Sequence, residues 1–524
     1  MGTKLQFEKS YSTWPIFFIV IFTVILGSIW QGQYANDPHH WGLMYSNAKD
    51  LFYGNLPYKD IFIQYGILTT FIHSLIFWIG QPNLITLIGI TAFFYALGLY
   101  LIFLISLTLT KSVKISLFSL ISAFLLHPIA TIPWSNYIAF PFLLLGIFFY
   151  IKNLDSRLNL LLSGLFFGIS ILCRETLFPP ILLTIILCNA LTLYIRKSVY
   201  KDILFNLLFQ IFGILIPLVI FFLYLWSNGL LIYWYKLSIL LPKIYITAIF
   251  PGVSHLSSIA HFFKVVFQQS VLLNFRWVIL AVMFLVNFYV IFLRLINKKS
   301  LFNSHHISVL AIISILLISS TIHIPEIFRL ATGSSIGLVV MFVVLDRYKQ
   351  ANQAFVTILF TLGVTLIHGN TGNLFLPSTT LLNSSNVVEE PYPFRGQKWL
   401  PATSKYYQSI DYDLKSLKQR GCNLQFHFNY SMDAFLQVLS PFQQYQIAPF
   451  TTWDIFNNLR PDYDFNSKIR EAKDIVLFMT VKSADIKKYK PPSGYYIFGM
   501  HTIPEAIFIP PNETMLILAP NSCK

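Results

Sequence analysis

Uninterrupted apolar runs decide what this chain can fold into. Residues 16–30, 84–109 and 278–293 contain no Asp, Glu, Lys or Arg, and extend over roughly the length that the hydrocarbon core of a bilayer demands. Only 11% of the 524 residues are charged, where soluble domains carry about 25%. The chain is therefore read as a multi-pass membrane protein. Its formal charge of +15 does not call for nucleic acid as a partner. Many Lys and Arg residues stand in short connections between apolar runs, where membrane orientation accounts for them. No short apolar segment with a small-residue cleavage site opens the sequence, so the first run is expected to stay as an anchor.

Eleven spans are expected, near residues 14–30, 84–110, 115–132, 137–151, 158–173, 178–195, 204–226, 276–293, 307–322, 329–345 and 353–368. Residues 67–79 are apolar but short for a span, and suit an interfacial or re-entrant helix. Leaving them out of the count brings Lys4, Lys9, Lys111, Lys114, Lys152, Arg157, Arg196, Lys197, Lys201, Arg294, Lys298, Lys299, Arg347 and Lys349 to one side. The positive-inside rule makes that side cytoplasmic, with the N-terminus. The 37–66 loop, the 227–274 connection and everything after residue 368 then face outward.

Residues 369–404 are rich in Asn, Ser, Thr and Pro and read as a linker. Residues 405–524 read as a small mixed α/β domain, with a helix over 406–419 and strands near 423–428, 475–481, 495–500 and 515–518. The expected fold class is an α-helical polytopic membrane protein of about eleven transmembrane helices. Juxtamembrane helices fill its first outer loop, and a small extracytoplasmic α/β domain ends it. Residues 1–368 form the transmembrane module. Cys422 and Cys523 both fall in the outer domain, where a disulfide and free thiols are both open.

Ionisable groups at a membrane face are functional candidates, and here they gather in the outer loops. Asp37 is followed by Pro38, which suits the first helical position and makes Asp37 a natural N-cap. Trp41, Met44, Tyr45, Ala48 and Phe52 share one face at helical spacing, and Gly54 ends the helix. A capping carboxylate keeps a second oxygen, so Asp37 is also a candidate catalytic base. His39 and His40 are candidate substrate contacts, against plain interfacial packing. Asp37 and His39 are the candidate ligands for a divalent metal, although adjacent helical residues point about 100° apart and His39 and His40 would rarely share one ion. No other cofactor is assigned.

Asp60 is a second candidate catalytic carboxylate, against a turn residue paired with Lys59. Gln64 and Tyr65 follow it as candidate substrate contacts. Arg174 and Glu175 lie between two spans, where an Arg suits phosphate and a local ion pair is the plain alternative. His323, Glu326 and Arg329 form another such cluster, in which Glu326 and Arg329 are spaced to pair along a helix. The sequence contains no P-loop, dinucleotide glycine fingerprint or HExxH motif.

An N-terminal anchor, an outer loop with an acidic residue, then Gly54-Asn55-Leu56-Pro57-Tyr58-Lys59-Asp60 and Gln64-Tyr65-Gly66 resembles the GT-C superfamily of polytopic glycosyltransferases. The protein mannosyltransferase-like and aminoarabinose transferase-like branch is the nearer part of it. The resemblance covers roughly residues 10–350 and is specific around Asp37–Gly66. It implies transfer from a polyprenyl-phosphate-linked sugar, with inversion, to a glycan, lipid or protein acceptor at the outer face of a bacterial inner membrane. It places Asp37 at the first-loop acidic position and makes Arg174 and Arg329 candidates for the lipid phosphate. The chain departs from the family in carrying Asp-Pro-His-His where an Asp-Glu or DxD pair is usual.

Three rivals stand beside this reading. An O-antigen-type polymerase or ligase relies on an Arg-rich outer loop late in the chain, whereas the strongest loop here comes first. A lipid-linked glycan transporter would place charges at mid-bilayer depth or break helices in paired halves. A catalytically inactive scaffold would only present the outer domain. The orientation has a direct test. Single cysteines placed at His39 and Lys298 should react with an impermeant maleimide from opposite sides of the membrane, and labelling of both from one side would overturn it.

Overall fold

The computed structural model describes residues 13–34, 37–63, 66–127, 129, 132–152, 156–196, 200–241, 255–271, 273–296, 305–318, 327–367, 379–431, 433–444, 473–505 and 512–524. Its first nine helices are α1 (Trp14–Gly32), α2 (Pro38–Phe52), α3 (Ile67–Trp78), α4 (Leu84–Thr110), α5 (Val113–Leu126), α6 (Ser135–Lys152), α7 (Arg157–Cys173), α8 (Phe178–Arg196) and α9 (Tyr200–Ser227). The later apolar helices are Arg276–Ile296, His305–Ile318, Ile327–Ser334, Ile336–Arg347 and Ala351–Ile367. Six segments among the described residues have the length and composition to cross a membrane: Trp14–Gly32, Leu84–Thr110, Ser135–Lys152, Glu175–Tyr194, Ile203–Ser227 and Arg276–Ile296. The helices found at several of the other expected spans are shorter than expected. Helix α3, at 12 residues, reaches only about 18 Å.

Local chemistry sets where the helices begin. The side chains of Asn83, Ser112 and Ser156 accept the backbone N–H of Thr86, Ile115 and Asn159, so each helix opens on a capped turn. Lys111 takes a left-handed conformation (φ 55°) and turns the chain from α4 into α5 within two residues. Between α7 and α9 the contact is backbone on backbone. A Cβ on Gly164 would lie 2.1 Å from the Gln210 carbonyl oxygen, and one on Gly213 2.2 Å from that of Leu161. Gly164 and Gly168 form a GxxxG stripe, which permits such close approach where lipid supplies no hydrophobic drive. The Asn189 amide donates to Gln210 Oε1 at 3.0 Å, satisfying two polar groups inside the bundle.

The C-terminal domain is a five-stranded mixed sheet in the order β4-β3-β5-β7-β6. Its strands are β3 (Phe426–Asn429), β4 (Gln443–Gln444), β5 (Ile475–Lys482), β6 (Tyr495–Thr502) and β7 (Glu513–Pro520), while β1 (Asn386–Val387) and β2 (Lys398–Trp399) pair separately. β3 runs parallel to β4 and β5, and β7 lies antiparallel between β5 and β6. Helix Pro401–Gln419 packs on this sheet and buries Tyr406, Tyr407, Ile410, Leu414 and Leu417. Within the stretch read as a linker, residues 386–399 fold as a hairpin that joins this core, with Phe394, Trp399, Tyr407 and Phe435 in mutual ring contact. Cys422 and Cys523 are free thiols, with the Cys422 Sγ 3.9 Å from the Cys523 carbonyl oxygen.

Helix α2 carries this domain. The half-buried Lys49 donates its ammonium hydrogens to the carbonyls of Gln437 (2.7 Å), Ser440 (3.2 Å) and Val438 (3.3 Å) at the end of helix Phe435–Leu439. Ser46 donates to Gln437 Oε1 at 3.1 Å. Next to them Gly42 lies against backbone, since a Cβ there would stand 2.5 Å from the carbonyl carbon of Ala434. A second tie joins Lys398 N–H to the Gln33 carbonyl at 2.6 Å. Gly42→Ala therefore reverses the usual sign. In an open helix the change gains up to about 1 kcal/mol, and Gly363→Ala, with nothing within 4 Å, should be neutral or stabilising. Gly42→Ala should lower the thermal midpoint in detergent and expose the 386–400 region to protease.

Candidate functional site

Asp37 opens α2 as its N-cap, with Pro38 at the first helical position. Its Oδ1 accepts the backbone N–H of His40 at 3.0 Å. The second oxygen is engaged as well, because Oδ2 lies 2.6 Å from His40 Nδ1. Burial by itself would raise the Asp37 carboxyl, but the ring and backbone hydrogen bonds of His40 and the charge of the imidazoles outweigh it and hold the group below its ordinary range. The other face of the site is aromatic. The His40 ring meets the Trp134 ring edge-on at 4.5 Å, and the Arg329 guanidinium carbon lies 5.2 Å from the centroid of that indole. Carboxylate, imidazole, indole and guanidinium thus form a row built from three distant parts of the chain.

Trp134 ends the connection from α5 to α6, and His127 begins it. His127 is buried, its Nε2 paired with the Tyr137 hydroxyl, and Tyr95 donates to its carbonyl oxygen. Burial, then the nearby Arg276 guanidinium, push the imidazole down to about 3, so it is neutral. Arg276 is the residue that sequence reasoning missed. It opens helix Arg276–Ile296 and is 2% exposed. Its Nε donates to Asn274 Oδ1 at 2.9 Å, while the buried Nη1 has no hydrogen-bond partner among the described residues. Among the described residues no carboxylate pairs with it. The available signal is an Arg at the edge of a long apolar run, which places it on a boundary and marks nothing more.

A second cluster lies where the first loop meets the turn after α7. Tyr58, in the left-handed region at φ 64°, donates to Glu175 Oε1 at 3.0 Å, and Trp234 Nε1 reaches the same oxygen at 3.3 Å. Arg174 is 4% exposed, with its Nε on Thr176 Oγ1 at 2.9 Å. Gly66 makes the fit close, since a Cβ there would stand 2.1 Å from the Leu172 carbonyl oxygen. Asp60 does not join Asp37. Its Oδ2 accepts the Leu56 N–H at 2.9 Å and closes its own turn. Gln64, Tyr65, His323 and Glu326 lie outside the described residues. The His39 ring contacts that of His40 at 4.7 Å. Among the described residues no group of three or more His, Cys, Asp or Glu assembles around Asp37 and His39 as a metal set.

No family model and no curated protein matches the sequence. Solved structures do. ArnT from Cupriavidus metallidurans, crystallised with undecaprenyl phosphate, superposes with a TM-score of 0.55 over 97% of this chain and 98% of its own, at 10% identity. The two chains share one fold. The Archaeoglobus fulgidus oligosaccharyltransferase AglB, in complex with an inhibitory peptide and a dolichol-phosphate, gives a TM-score of 0.47 at 12% identity over 89% of this chain and 70% of its own. At such identities the likeness concerns the fold.

The buried Arg276 guanidinium has an energetic consequence. A buried charge without a counterion costs several kcal/mol, and apolar replacements of buried ionic groups are often neutral or stabilising by about 1–4 kcal/mol. Arg276→Met should therefore keep or raise the thermal midpoint of the ligand-free protein in detergent. A clear fall would mean that the guanidinium is already compensated.

Proposed function

We propose that this protein is a multi-pass glycosyltransferase that moves a sugar from a polyprenyl-phosphate-linked donor to a glycan, lipid or protein acceptor. It works at the extracytoplasmic face of a bacterial inner membrane. In this reading eleven spans place the N-terminus inside, and the outer loops and the C-terminal domain outside. The observation that carries it is the pairing of opposites at one end of the bundle. The Asp37–His40 pair and Arg329 both meet Trp134, and Arg276, which no carboxylate pairs among the described residues, lies near His127. The fold of ArnT, a protein whose crystal structure contains undecaprenyl phosphate, supports the same donor class.

The chemistry follows from the charges. An acceptor hydroxyl loses its proton to the Asp37–His40 pair as its oxygen attacks the anomeric carbon. The bond to the phosphate oxygen breaks, and the lipid phosphate leaves with the electron pair and one more negative charge. Attack opposite the leaving phosphate inverts the anomeric centre. Arg276 and Arg329 are the residues assigned to that developing charge, because guanidinium forks match phosphate geometry and act strongly where water is excluded. Arg174 is assigned a supporting place near the first loop. The donor brings its own membrane anchor, so no nucleotide pocket is required.

The test is transfer by the purified protein in liposomes from radiolabelled polyprenyl-phosphate sugars. Wild-type protein should label an acceptor from at least one donor. Arg276→Gln should raise the donor KM about tenfold or more, the range expected for a lost hydrogen bond to a charged group. No transfer from any such donor would refute the assignment, and an unchanged donor KM would remove Arg276 from the phosphate site.

A further inference from the structure

Resting on that reading, we propose that His40 is the catalytic base of the site and that Asp37 is its positioning residue. The first ground is the use of the carboxylate oxygens. Oδ1 of Asp37 holds the His40 backbone N–H and Oδ2 holds the ring Nδ1, at 3.0 and 2.6 Å. Direct proton abstraction by Asp37 would have to draw on an oxygen that already holds the helix cap or the imidazole, and protonation would weaken that contact.

The second ground is the tautomer. An ionised carboxylate only accepts, so Nδ1 carries the hydrogen in the contact with Oδ2. In the neutral ring Nε2 then holds the free lone pair. Among the described residues Nε2 has no hydrogen-bond partner, and the His40 side chain remains 32% exposed. The ring is braced without being covered: Trp134 meets it edge-on at 4.5 Å and His39 at 4.7 Å. A third ground is local sequence. Asp37 as N-cap and His40 as the third helical residue share one turn, so a single helix start sets both the cap and the ring orientation.

The proton balance is complete. The acceptor O–H gives its proton to His40 Nε2 as the new C–O bond forms and the anomeric carbon–phosphate oxygen bond breaks. Asp37 stabilises the imidazolium, which returns the proton to solvent after the lipid phosphate departs. No oxidant, reductant or further reactant takes part.

The experiment uses the full chain in liposomes with the donor that supports wild-type transfer. His40→Ala should lower kcat by about 10²–10⁴-fold, the usual share of a positioned base, with the donor KM little changed, and added imidazole should restore part of the loss. Asp37→Ser separates the two roles of Asp37, because Ser still caps the helix but cannot orient the ring. It should remain folded, keep its donor KM and lose kcat. Full kcat in either His40→Gln or Asp37→Ser would overturn the inference while leaving transfer itself intact. So would a His40→Ala loss that imidazole does not restore, or a loss of wild-type rate in EDTA that a divalent ion reverses, since the pair would then be metal ligands. Wild-type protein inactive with every polyprenyl-phosphate sugar would sink both this inference and the reading beneath it.

Discussion

The docking of Lys49 into the C-terminal domain is the contact on which the arrangement around helix α2 depends. A buried ammonium is costly unless its donors are satisfied, and here three carbonyls at the end of helix Phe435–Leu439 satisfy them. This fixes one end of α2, while Gly42 lets the backbone of Ala434 close on the middle of the helix. The other end of the same helix bears Asp37 and His40. A 15-residue helix at a membrane face, held only by its apolar stripe, could roll about its axis. Gripped by a second domain, it holds its N-terminal side chains at one angle toward Trp134. The C-terminal domain is thus part of what orients the site, whatever else it contacts.

The charged groups of these loops divide by their partners. Groups with their own partners close turns and interfaces: Asp60 on Leu56, Glu175 among Tyr58 and Trp234. Arg276 is the departure, a guanidinium removed from water with one hydrogen bond to Asn274 and a neutral imidazole nearby. The neutrality of His127 belongs to the same arrangement, because a second cation there would make the ligand-free site costlier still.

Much of the architecture was legible because it rests on local properties. Hydropathy marked the long spans, and period-two patterning marked the strands now seen at 475–482 and 495–502. Pro38 after Asp37 announced a capped helix start, which is what stands there. The expected helix over 406–419 begins earlier, at Pro401, since proline is tolerated in the first turn. The stretch at 386–399 reads as linker from its turn-rich composition. Its hairpin is held by Phe394 and Trp399 in a core whose other members lie far along the chain.

The sequence by itself determined that this chain belongs in a membrane and that its polar residues would collect in loops and at helix ends, because water-to-hydrocarbon transfer is a property of each segment alone. It also determined that Asp37 would cap a helix, a matter of three adjacent residues. Only the tertiary structure decided what the second Asp37 oxygen does, that no carboxylate among the described residues pairs with Arg276, and that Arg329 and His40 share Trp134. Those facts depend on which distant segments meet and how closely. No local pattern encodes that distance.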